Sequence, residues 1–129
     1  MNTRKKVHLG VVVISVIMFF VALATVFFWL ARINGKAIPR TVPLEPSLYN
    51  AFAAPDIVLS FFLFVGAYGL LKLRKFGLVF SLVAMGMWLF DTLLILSITK
   101  LTQIALIGSS LFFILATIFY LWIKKEIFE

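Results

Sequence analysis

The chain has 129 residues, enough for one domain, but 64% of them are hydrophobic and 13% charged, and the mean hydropathy of +1.15 excludes an ordinary soluble fold. With no cysteine, thiol redox chemistry, disulfide relay and thiolate metal sites are excluded, four-helix quinone-coupled disulfide enzymes included. The one histidine, His8, falls at a membrane edge, so neither a metal nor a cofactor such as haem is expected. A net charge of +7 would suggest nucleic acid in a soluble protein, but here it reads as topology and no nucleic-acid partner is expected.

The pattern predicts an all-α integral membrane protein, a single domain of four transmembrane helices in an antiparallel up-down bundle. Residues 9–31 form the first span, with only Ser15 and Thr25 as polar interruptions and Arg4, Lys5 and Lys6 before it. A basic start with Ala22-Leu23-Ala24 also resembles a cleavable signal, but the apolar run continues to Leu30, which favours a retained helix. Trp29 and Arg32 read as interfacial anchors at its outer end.

Residues 32–47 form the one sizeable loop, with Pro39, Pro43 and Pro46 among Arg32, Lys36, Arg40 and Glu45. Repeated proline favours an extended path. A simple connector is the preferred reading and a lid over the outer mouth the competing one.

The second span, about 48–71, is expected to open with Ser47 as N-cap. Pro55 would then lie inside the helix, bend it and leave the carbonyl of Ala51 without a donor beside Asp56. In a plainer reading, Pro55 opens the helix and Asp56 only complements its dipole. A basic turn, Lys72-Leu73-Arg74-Lys75, leads to the third span, about 76–99, which contains Asp91.

The two aspartates carry the functional expectation. In a tight antiparallel hairpin, residues equally far from the turn lie at equal depth, and Asp56 and Asp91 are each 15 residues from the helix ends at 71 and 76. At a rise of ~1.5 Å per residue they lie roughly 22 Å from those ends, in the outer third of a hydrocarbon core about 30 Å thick. An ionisable residue at such a depth is costly and usually faces a partner or a cavity. Two facing carboxyls are expected to titrate as a unit and to hold one proton at neutral pH.

Asp56 shares a helical face with Ser60, Leu63 and Ala67; Asp91 shares one with Gly77, Ser81, Ala84 and Trp88. Small and hydroxylated residues of this kind, Gly66 and Gly69 included, are where membrane helices approach closely, so packing explains most of them. Trp88 lies one turn deeper than Asp91 and is either a bundle-filling side chain or the floor of a ligand site.

The fourth span, about 101–123, carries Gln103, Ser110 and Thr117 at seven-residue spacing as one inward polar stripe, and Ala105 with Ser109 as a small contact. It ends in Trp122-Ile-Lys-Lys125. Eight cations fall on the side of Arg4, Lys72 and Lys124 against four on the other, which places both termini in the cytoplasm of a multi-pass cell-membrane protein.

Four spans with acids inside loosely resemble EXPERA-type bundles, whose known members imply binding, and in some cases isomerisation, of sterol-like ligands; they also resemble DoxX-like bundles. No family motif is matched residue by residue, and no functional residue is carried over. Small multidrug transporters differ, since their functional glutamate lies in the first helix and this first helix has no acid.

No phosphate loop, nucleophile-base pair or metal spacing is present. The preferred expectation is a protein that binds or transports a small lipophilic or cationic ligand, with proton linkage, at Asp56, Asp91 and Trp88. Ser60, Arg32, Arg40 and Gln103 are the supporting candidates. The alternatives are a non-catalytic subunit or scaffold whose acids pair with basic residues, and an isomerase-like membrane enzyme using the same pair. The expected partners are the lipid bilayer and the ligand, with a homodimer if a conduction path exists.

Overall fold

A computed structural model of the chain describes residues 8–33, 51, 53–99 and 104–129. Among these residues the elements are four α-helices, α1 (Leu9–Ile33), α2 (Ala53–Leu71), α3 (Lys75–Thr99) and α4 (Ile104–Ile123), followed by a short 3₁₀ turn at Lys125–Ile127. All four helices are long and apolar enough to cross a membrane. The expected N-cap Ser47, the loop cations Lys36 and Arg40, and Gln103 lie outside the described residues.

The helices pack in sequence, α1 on α2, α2 on α3 and α4 chiefly on α3, with a slight contact between α1 and α4. Each successive pair is antiparallel: Trp29 near the end of α1 meets Asp56 at the start of α2, Phe19 meets Phe64, and Trp88 of α3 meets Phe113 of α4. Large apolar side chains point outward, among them Phe27, Phe61, Phe90, Phe112 and Phe119. The interior is built from Met18, Leu63, Leu70, Met85 and Ile114 with Ser15, Ser60, Ser81 and Thr117. In water these outward side chains would form a large exposed apolar patch, as expected of helices long and apolar enough to cross a membrane.

In lipid the hydrophobic effect does not draw helices together, so close packing must. The sequence supplies it with small residues on the α2–α3 seam. Gly69 and Gly77 bring the two backbones into contact, and a Cβ on either would meet the other helix's main chain. Farther along, a Cβ on Gly66 would lie 2.6 Å from Ser81 Oγ and 3.1 Å from the end of Met18. The stripe expected on α4 is buried at Thr117 and half-buried at Ser110, whereas Ala105 and Ser109 are exposed and Ser109 Oγ donates to the Ala105 carbonyl at 2.8 Å.

The basic turn is a helix C-cap. Leu73 N–H donates to Leu70 O at 3.0 Å and Arg74 N–H to Gly69 O at 2.9 Å, the two bonds of a Schellman motif. Its left-handed position, normally glycine, is held by Leu73 at φ 52°. The strain, of order 1–2 kcal/mol for a residue with a Cβ, is offset by what Leu73 touches: its side chain packs on the core, and its carbonyl accepts from Glu129 N–H at 2.9 Å. Lys75 N–H in turn donates to Glu129 O at 2.8 Å. Between these bonds and the 3₁₀ turn, Phe128 is buried in the cluster at 3% exposure, so residues after α4 close the end of the α2–α3 hairpin.

Candidate functional site

Proline shapes the start of α2. The described helix begins at Ala53, so Pro55 stands in its first turn, where a missing N–H removes no intrahelical hydrogen bond. Asp56 is the acid of that first turn, a place its charge suits on dipole grounds alone. Asp91 lies well inside α3, with two further turns of helix beyond it.

Dipole complementarity nevertheless leaves most of the arrangement unexplained. The carboxyl groups of Asp56 and Asp91 meet within hydrogen-bonding reach across the α2–α3 seam, and both residues are half-buried. A third group joins them from α1: Trp29 Nε1–H donates to Asp56 Oδ2 at 2.9 Å. Three helices thus converge on one pair of acids. The indole N–H is a fixed donor to this acidic pair.

Trp29 is the residue that sequence reasoning assigned elsewhere. It was expected as an interfacial anchor, yet it is only 4% exposed and packs edge-on against Phe28 with ring centroids 5.1 Å apart. The signal was present in the spacing. Ser15, Ala22 and Trp29 are seven residues apart, and Ser15 and Ala22 are buried on the inner face of α1. A tryptophan continuing that face is carried inward, where its N–H needs an acceptor.

Trp88, expected beside the acids, packs against Phe113 of α4 with centroids 5.5 Å apart, and its backbone carbonyl accepts from Thr92 Oγ1 at 2.8 Å. The indole bonded to the acid pair belongs to Trp29. Ser60 is buried, but its Oγ–H donates to the backbone carbonyl of Asp56 at 2.8 Å, a local bond within α2 that does not reach the acid side chains. Arg32 is half-buried one turn beyond Trp29, at the same end of the bundle.

Chemically, two neighbouring carboxyls bordered by an indole N–H form a group that can take up a proton or a cation. Among the described residues no cluster of histidine and acids could hold a metal ion. Comparison of this chain with family models, with characterised proteins and with solved structures gives no match, so the reading of the site rests on its own geometry.

Proposed function

We propose that this chain is a multi-pass cell-membrane protein, with both termini cytoplasmic, that binds or transports a small lipophilic cation at the Asp56–Asp91 pair, the ligand's charge replacing the proton the pair holds. The observation that carries this reading is the convergence of α1, α2 and α3 on two half-buried carboxyls with Trp29 as fixed donor. Packing requires none of these groups. Apolar residues of similar size would join the three helices without placing ionisable groups in lipid.

Exchange fixes the sign of the pH dependence. A permanent cation competes with the proton, so its affinity rises with pH, and binding releases protons into a weakly buffered solution. Tetraphenylphosphonium, which is lipophilic and cannot titrate, is the probe. Wild-type protein in detergent is expected to bind it with proton release, and both Asp56→Asn and Asp91→Asn to lose that binding. Retention of affinity by both variants would refute the proposal and leave the pair as a purely structural clasp.

A further inference from the structure

At the opposite end of the bundle, the cap between α2 and α3 shapes a cleft of about 550 Å³ lined by Tyr68, Lys72, Arg74, Lys75, Phe76 and Glu129. We propose that this cleft is a binding site for a phosphate group, carried on a membrane lipid or free.

Three features distinguish it from loose basic residues at a membrane edge. The cations are borne by a turn whose backbone is fixed: the Schellman bonds hold it from one side, and the pairing of Glu129 with Leu73 and Lys75 holds it from the other. That second support is anchored by buried Phe128. Rigid placement matters because two lysines and an arginine lose less side-chain entropy in gripping an anion when their Cα atoms are already set.

The aromatic residues supply the second feature. Tyr68 and Phe76, one from each helix, lie nearly parallel with ring centroids 6.5 Å apart and an interplanar angle of 28°. Lys72 Nζ stands 5.9 Å from the centre of the Tyr68 ring. The rings are exposed and mark the last apolar level of the hairpin, so they offer the glycerol and first methylenes of a lipid an apolar floor below the cations. Charge is the third feature. Lys72, Arg74 and Lys75 surround the cleft, while the acidic Glu129 also lines it and opposes an anion. Removing that opposition should tighten binding.

The test uses the full chain in neutral detergent, with binding read by native mass spectrometry. The probes are phosphatidic acid and, separately, inorganic phosphate. Lys72→Gln/Lys75→Gln is compared with the charge-matched pair Lys124→Gln/Lys125→Gln, at the same end of the bundle but outside the cleft. All four side chains are exposed, so neither pair should disturb folding. Lys72→Gln/Lys75→Gln is expected to weaken phosphatidic acid binding about tenfold, with Lys124→Gln/Lys125→Gln near wild type and Glu129→Gln tighter.

Competition by inorganic phosphate identifies a free phosphate as a sufficient ligand, whereas retention of the lipid against it identifies the headgroup; either result supports the site. Equal weakening by both lysine pairs, or no binding of either probe, would overturn it.

Discussion

The two ends of this bundle handle charge in opposite ways. At one end Asp56 and Asp91 are half-buried beside each other, and the Trp29 indole donates to Asp56, so polar groups sit where three helices meet. At the other, Lys72, Arg74 and Lys75 are turned outward, and the joining is done by backbone bonds and by buried Phe128. Inward charge is expensive in an apolar medium and is retained where it has a use; outward charge costs little. The contrast is why chemistry is sought at the first end and surface recognition at the second.

The sharpest way to break this comparison is to remove the plug at the basic end. Phe128→Ala should lower unfolding stability in detergent by about 3 kcal/mol, as for a buried aromatic truncated to alanine, and expose the Arg74 bond to trypsin. Tetraphenylphosphonium binding at the other end should persist. Between the ends, Gly77→Val forces a side chain against the backbone of Gly69. It should cost about 2 kcal/mol, read as a lower melting temperature, with both sites weakened together because α2 and α3 move apart.

At the acid end the expected effect is smaller but more selective. Trp29→Phe keeps the ring and removes the donor, with a loss of about 1.5 kcal/mol for a hydrogen bond to a charged group. A double-mutant cycle with Asp56→Asn should return a coupling of about 1 kcal/mol. A coupling near zero would mean that the indole does not sense the carboxylate. The smallest effect is expected at Leu73→Gly. Relief of the left-handed strain and loss of the side chain's partial burial oppose each other at about 1 kcal/mol apiece, so the melting temperature should scarcely move.

Most of the architecture was legible in the sequence because it follows from run length: four apolar stretches give four span-capable helices. The approach of Asp56 to Asp91 was legible for a similarly simple reason. A three-residue connection leaves little freedom in register, and counting from it pairs the acids. What counting along one hairpin does not provide is the third helix. Trp29 reaches Asp56 through the packing of α1 on α2, and a tryptophan near a helix end has the same local appearance whether it faces headgroups or the interior. Ser47 and Pro55 both resemble helix beginnings; the described part of α2 places Pro55 in its first turn, and Ser47 lies outside the described residues. The fold of the final residues against the Leu73 cap was likewise invisible, since Phe128 and Glu129 form no periodic pattern.

One buried oxygen has consequences for how this sequence can change. Ser81 Oγ is fully enclosed and has no hydrogen-bond partner, and it fills the space that a Cβ at Gly66 would need. Position 66 therefore cannot gain a Cβ freely while serine stands at 81. Serine at 81 requires glycine at 66, whereas alanine at 81 removes both the unsatisfied hydroxyl and the tightest of the contacts, leaving Met18 and the backbone N of residue 81, each 3.1 Å from the new Cβ, to give by a few tenths of an ångström. Natural variants of this chain should exchange the two sites together, and a library randomised at 66 and 81 should recover small residues as matched pairs rather than as independent choices.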